Sequence, residues 1–376
     1  LAERIASLTL FLFAASAVGQ ESARFSRIDD AMSQAIASGQ TPGAVVLIVH
    51  NQKEVFRKAY GFRAKLPAKV LMTTDTIFDL ASLTKPIVTA TSIWILIEQG
   101  RLRLDDPVAR HWPDFAAAGK DKVTIEQCLL HTSGLTPDNP LSDYEGGRAK
   151  ALARIAALKL DSPPGTKFRY SDVGYIVLGY VVERVSGQSL DAFAAERIFK
   201  PLGMSDTGFG VPAGQRDRCA PTERIGGEWL IGKVHDPRAR LLGGVAGHAG
   251  LFGTADDLSH FADMMLANGK WNDKQILRAE TVKRMTEPHP LPAGGSRTYG
   301  WDCDSAYSSN RGRLFPKGKS FGHTGFTGPS IWIDPVSRSS VIFLCSRLHP
   351  DGKGNVTSLR GKIATLAAEE LHLKDE

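Results

Sequence analysis

Residues 43–60 read GAVVLIVH-NQK-EVFRKAY, an unbroken apolar run, a short polar break and a second, mixed segment. The β-branched residues Val45, Val46, Ile48 and Val49 favour extended backbone. Asn51-Gln52-Lys53 is too short a break for anything but a tight connection. The reading is two strands joined by a turn. The other end of the chain mirrors it. Segments 330–334 and 340–346 read as paired strands around Asp334-Pro335-Val336, and His323-Thr324-Gly325 is placed at the start of a strand just before them. A helix over 25–38, closed by Gly39, precedes the first pair, and a helix over 355–371 follows the second.

Between these ends the pattern turns helical. Thr124 and Gln127 stand at capping-box spacing. Residues 173–186 are apolar at helical spacing and stop at Gly187, and Thr254 with Asp257 opens a helix that ends near Asn268-Gly269. Residues 87–97 are apolar all round, as in a buried core helix. The expected fold class is α+β: an antiparallel sheet built from both chain ends with flanking helices, plus a mostly helical central part. The expected division is a single domain over 20–376, its α/β part about 20–104 and 290–376 and its helical part about 105–289.

Among 376 residues, 42% hydrophobic and 23% charged is an ordinary globular balance. The net charge of +6 is scattered rather than blocked, which argues against nucleic acid as a partner and suits an anionic polymer such as a cell wall. Arg4 precedes an apolar run over 5–15 and the small residues Ala15-Ser16-Ala17-Val18-Gly19. Residues 1–19 therefore read as an export signal lacking its initiator end, too short to span a membrane comfortably, and the expected location is periplasmic or secreted. Cys128, Cys219, Cys303 and Cys345 form no CxxC pair and define neither a disulfide framework nor a zinc site.

Three short segments carry chemistry. In Ser82-Leu83-Thr84-Lys85, a lysine three residues after a serine shares its helical face. Such a lysine can take the hydroxyl proton if it is desolvated. Pro86 suits only the first turn of a helix, so Ser82 is placed at a helix N-terminus, where free N–H groups favour developing negative charge. Tyr170 brings a phenol able to relay a proton, and Asp172 a carboxylate able to accept from Lys85. Either Ser171 or Asp172 also suits the cap of the following helix. In His323-Thr324-Gly325, His323 can reach Tyr170 or a substrate carboxylate, and Gly325 lets a substrate approach the backbone closely.

Together, these segments resemble the serine β-lactamase and penicillin-binding-protein superfamily. Its pattern is SxxK, YxN, then KTG or HTG, and the resemblance runs over 25–371. LLHTSGL (129–135), GTKFRY (165–170), LGGVAGHAGLFGT (242–254), HTGFTG (323–328) and SRLHP (346–350) look most like the penicillin-binding protein 4B type within the class C-related branch. The resemblance implies that Ser82 forms an acyl-enzyme, with Lys85 and Tyr170 sharing base and acid duties. It also implies that His323, Thr324 and Gly325 line the substrate strand, that the N–H groups of Ser82 and Phe326 form the oxyanion hole, and that no cofactor is needed.

Two departures stand out. Asp172 replaces the usual asparagine, which predicts either a raised Lys85 pKa with a larger base role for Tyr170 or a change in how a substrate amide is held. His323 replaces the usual lysine, which removes a permanent positive charge. His131 and His248 lack a partner at ligand spacing, so no metal is expected; His248, in a glycine-rich loop, is placed at the pocket mouth or packed within the loop. The resulting expectation is a serine hydrolase of D,D-carboxypeptidase type acting on a small-molecule or muropeptide amide. A carboxylesterase comes next, then a weak β-lactamase. From a different class, a penicillin or muropeptide sensor that deacylates slowly fits the same residues.

Overall fold

The computed structural model describes residues 24–292 and 294–373. The export-signal reading of residues 1–19 lies outside them. Among the described residues, no helix is long and apolar enough to cross a membrane.

The main sheet has nine antiparallel strands drawn from both chain ends. These are β1 (Gly43–His50), β2 (Lys53–Ala64), β3 (Val70–Leu71), β4 (His289–Pro290), β5 (Ser296–Arg297), β6 (Asp302–Asp304), β7 (Phe321–Thr324), β8 (Ser330–Asp334) and β9 (Ser339–Cys345), in the order β4-β5-β6-β7-β8-β9-β1-β2-β3. The β1–β2 connection is a two-residue turn with Asn51 and Gln52 at positive φ, the geometry that follows strand twist. The seam between the chain ends is β1 against β9, with Val46 opposite Phe343 and Ile48 opposite Val341.

The unbroken apolar run of β1 reflects burial on both faces. Val46 and Ile48 pack with Phe343 against the outer helices α1 (Ser26–Ala37) and α7 (Thr357–Glu370), through Ile28, Met32, Ile363 and Ala367. Val45, Leu47, Ile342 and Leu344 face the inner core, which holds α2 (Thr91–Glu98), α5 (Asp172–Ser186) and α6 (Ala255–Leu266). The capping box at Thr124 and Gln127 is formed, opening α3 (Ile125–Leu129), which is followed by α4 (Arg148–Ala157). The run expected as one helix over 87–97 is instead a π-type turn, Lys85–Ala90, feeding α2. Thr91 Oγ1 donating to the Pro86 carbonyl at 2.9 Å supports that wider turn.

His323-Thr324-Gly325 ends a strand rather than starting one. β7 begins at Phe321, and Gly325 N–H donates to the Pro329 carbonyl at 2.8 Å, turning the chain back into β8. β6 pairs with β7 only at Asp302 and Gly322, so the edge from His323 onward is open to the cleft. All four cysteines are free and buried.

Candidate active site

A short strand, Phe78–Asp79, delivers the chain to Ser82. Ala81 sits in the left-handed region at φ +45°, which is unfavourable for a residue with a Cβ. The buried Asp79 carboxylate holds it there, accepting Ala81 N–H at 2.8 Å and His235 N–H at 2.6 Å. Burial raises the Asp79 pKa to about 6. Ser82 lies in a single 3₁₀ turn that runs into the Lys85 turn, so the two side chains share one face.

Lys85 is fully buried, and its Nζ lies 3.1 Å from Ser82 Oγ, 3.1 Å from the His248 carbonyl and 2.6 Å from Asp172 Oδ1. Burial works to lower its pKa, but Asp172 and Tyr170 outweigh that and the net direction is upward. Tyr170 lies with its ring centroid 4.9 Å from Lys85 Nζ. Burial raises the phenol's pKa and Lys85 opposes that without reversing it, so Tyr170 keeps its proton at neutral pH. The larger base role expected for Tyr170 is therefore not what this geometry favours.

His131 supports Tyr170 from behind, stacked at 4.4 Å and 29°. Its Nδ1 accepts Ser171 N–H at 3.0 Å, which ties Tyr170 to the start of α5. Burial first, then Arg297 and Lys85, hold His131 well below the usual imidazole range, so it is neutral. Ser171, not Asp172, caps α5, accepting Gly174 N–H at 3.0 Å, and this leaves the Asp172 carboxylate for Lys85.

His323 Nδ1 meets the carbonyl of its neighbour Thr324 at 2.8 Å, and its ring lies 6.0 Å from that of Tyr170. Burial and then Arg297 push His323 well below the usual imidazole range. Neither Ser82 N–H nor Phe326 N–H donates to an acceptor among the described residues, so both are available to an oxyanion. The two segments that carry them are tied together. Thr327 Oγ1 donates to the Asp79 carbonyl at 2.8 Å. From α7, buried Arg360 donates to the Gly325 carbonyl at 2.7 Å and to the Gly328 carbonyl at 3.1 Å.

His248 lines the cleft but is 1% exposed, with Nε2 2.9 Å from Asp236 Oδ1. Burial would raise the Asp236 pKa, but His248 and Ala239 N–H hold it below the usual carboxylate range. Gly247, next to His248, serves packing. A Cβ on Gly247 would stand 2.0 Å from the Tyr175 carbonyl and 2.9 Å from Gly179 N. Donor atoms of Asp172, Asp236 and His248 gather within 4.8 Å, a grouping invisible in sequence spacing. Lys85 already supplies the positive charge at that point.

Sequence reasoning missed Arg297, on β5, because no motif marks it. Its side chain is fully buried, lines the same 870 Å³ cleft as Ser82, and stands over the Tyr170 ring at 5.9 Å. Its Nη1 is 3.3 Å from Asp302 Oδ2, yet none of its three guanidinium nitrogens makes a hydrogen bond among the described residues.

Comparison with known proteins identifies the family. The family model described as Beta-lactamase matches residues 28–364. An Escherichia coli K12 protein named "Putative D-alanyl-D-alanine carboxypeptidase" is 32% identical, over 87% of this chain and 83% of its own. A Bacillus subtilis protein named N-acetylmuramyl-L-alanine amidase is 31% identical, over 88% and 84%. Among solved structures, EstCE1, described as a hydrolase with promiscuous acyltransferase activity, superposes with a TM-score of 0.75 at 25% identity, covering 94% of this chain and 99% of its own. A class C β-lactamase superposes with a TM-score of 0.75 at 21% identity, covering 93% and 97%, which speaks to the fold. A matched span of this extent, together with a sheet closed from both chain ends around one cleft, makes the chain a member of the β-lactamase family of hydrolases.

Proposed function

We propose that this protein is a serine hydrolase of D,D-carboxypeptidase type, which releases a terminal residue bearing a free carboxylate through an acyl-enzyme. The observation that carries the reading is Arg297. A buried guanidinium that makes no hydrogen bond is costly even with the Asp302 carboxylate 3.3 Å away, and a planar carboxylate matches its free donors. It supplies the permanent positive charge that His323, neutral in this pocket, does not.

In this reading Ser82 Oγ attacks the scissile carbonyl and its proton passes to Lys85, 3.1 Å away, in that residue's neutral form. The carbonyl oxygen becomes an oxyanion held by the N–H groups of Ser82 and Phe326. The C–N bond then breaks, and the departing amine takes a proton from Tyr170, whose raised pKa keeps it protonated. Water hydrolyses the Ser82 ester, returning the protons. The names of the curated relatives and the export signal read at residues 1–19 both support a wall-derived peptide as substrate.

The test uses an N-acylated tripeptide ending in D-Ala-D-Ala, its C-terminal amide and a short nitrophenyl ester, with intact-protein mass spectrometry after exposure to fluorescent penicillin. The expected result is D-Ala release from the free acid alone, and an adduct that Ser82→Ala abolishes. Equal cleavage of acid and amide would sink the carboxylate anchor. Ester hydrolysis alone would move the assignment to a carboxylesterase, the activity named for another structural neighbour.

A further inference from the structure

A second cleft, about 840 Å³ and open to solvent, lies on the other side of the segment that walls the active site. Residues Asp304–Arg313 separate the two. Arg27, Arg311, Arg313, Lys317 and Lys362 line it, against the carboxylates of Asp304 and Glu369. Glu369 is engaged by Arg27 at 2.8 Å and by Arg313 at 3.2 Å, and Asp304 lies 3.5 Å from Arg311. Arg27 also reaches Glu370 at 2.8 Å, while no carboxylate among the described residues pairs with Lys317 or Lys362, both exposed. Arg311 is only 13% exposed, and its Nε has no hydrogen-bond partner. The cleft therefore holds a net excess of cationic donors that the fold itself does not use.

We propose that this cleft is an exosite for an anionic saccharide polymer carrying carboxylate or phosphate groups. The lining suits such a ligand. Ser309 brings a hydroxyl between the cations, while those of Ser305, Ser308 and Thr365 line the cleft with their protons already donated within the fold. Among the described residues, no aromatic ring lines it for a nucleobase to stack on, and its apolar lining is limited to Ala306 and Leu366, too little for insertion into lipid.

The dividing wall is braced to both sites. Ser305 and Ser308 donate to Asp302 Oδ1 at 2.8 and 3.0 Å, and the other Asp302 oxygen faces Arg297. Asn310 donates to the carbonyls of His323 and Ile331 at 3.4 and 3.3 Å. A polymer seated here is held within reach of the catalytic cleft, and a peptide branching from it meets Ser82 at raised effective concentration. The exosite is independent of which acyl bond Ser82 cleaves.

The test is co-sedimentation of the full chain with purified peptidoglycan sacculi, either intact or stripped of phosphodiester-linked polymers. Wild-type protein should sediment at low salt and be released near ~0.5 M salt, where charge attraction is screened. Lys317→Glu/Lys362→Glu should bind at least about tenfold more weakly while hydrolysing the nitrophenyl ester at the wild-type rate. Loss of wild-type binding on stripping assigns phosphate as the recognised group, and retention assigns carboxylate. The proposal is overturned if wild-type protein does not sediment or if the double variant binds like wild type. It is also overturned if the control pair Lys270→Glu/Lys274→Glu, exposed on a separate hairpin, loses binding equally, since that would mean net charge alone. Failure of the acyl-enzyme reading shows separately, in the ester and peptide assays.

Discussion

Lys85 Nζ and Asp172 Oδ1 lie 2.6 Å apart, with the lysine wholly out of water and the carboxylate partly exposed at the cleft. The pair fixes which protonation state rests at the site. A lysine buried alone would shed its proton readily; one beside a carboxylate holds it, and Lys85 is shifted upward. Tyr170 is also shifted upward, so the resting site holds a charged amine and a neutral phenol. The neutral amine that takes the Ser82 proton then becomes available toward alkaline pH.

Asp172→Asn removes the charge that raises Lys85 and leaves burial to lower it. The ascending limb of kcat/KM against pH should move to lower pH by about one unit or more. An unmoved limb would mean that Lys85 is not the group titrating in the free enzyme.

Arg297→Met should reduce kcat/KM for the free-acid peptide on the order of 30-fold, the worth of a charged hydrogen-bonded contact, and leave the neutral ester within about threefold. Because it strands Asp302, Arg297→Met/Asp302→Asn serves as the stability-matched control. Parallel losses on both substrates in both variants would assign Arg297 a structural role instead.

Thr327→Val keeps the side chain's shape and deletes the hydrogen bond to the Asp79 carbonyl, loosening one wall of the oxyanion hole against the other. We expect kcat to fall about tenfold with KM nearly unchanged, the mark of an interaction made in the transition state. A change confined to KM would contradict it.

Acid should destabilise the fold through its buried imidazoles. His131 and His323 are pushed well below the ordinary value and His349 down to about 4, in each case first by burial. Below about pH 6.5 the unfolded chain binds protons that these sites refuse, so stability falls as pH drops through that value. Thermal melts from pH 7.5 to 5 should show a declining Tm, the three imidazoles outweighing Asp79 and Asp263, whose pKa values, raised by burial to about 6, act in the opposite sense, and His323→Asn should flatten the decline. A Tm that rises on acidification would contradict the burial of these rings.

Gly247→Ala should be severely destabilising, by about 3 kcal/mol or more, because its Cβ meets backbone on α5 that has no room to retreat. Gly243→Ala, whose Cβ meets nothing within 4 Å, is the comparison; strain at its positive φ is its one cost, milder than a clash with backbone. Equal melting temperatures for the two variants would show that the Gly247–Gly179 approach is not needed.

Much of this architecture is legible in order along the chain. The β1 and β2 pair, the Thr124 capping box, the α5 stop at Gly187 and the Ser82–Lys85 spacing are local patterns, set by propensity, turn length and helical period, and the structure places each where the residues put it. Boundaries fared less well where tertiary packing intervenes. The helix expected over 87–97 opens with a π-type turn, and His323 closes a strand because Gly325 and Pro329 turn the chain there.

The sequence alone determined the candidate nucleophile, its lysine and its tyrosine, because their chemistry is carried by residue type at short spacing. Tertiary structure decided the charge balance around them. Arg297, Asp236 and Arg360 reach the cleft and Asp79 braces it from behind, each from a separate element, and nothing in their local sequence distinguishes them from surface ion pairs or caps. Burial and distance set their effect, and both quantities exist only once the two ends of the chain have closed the sheet.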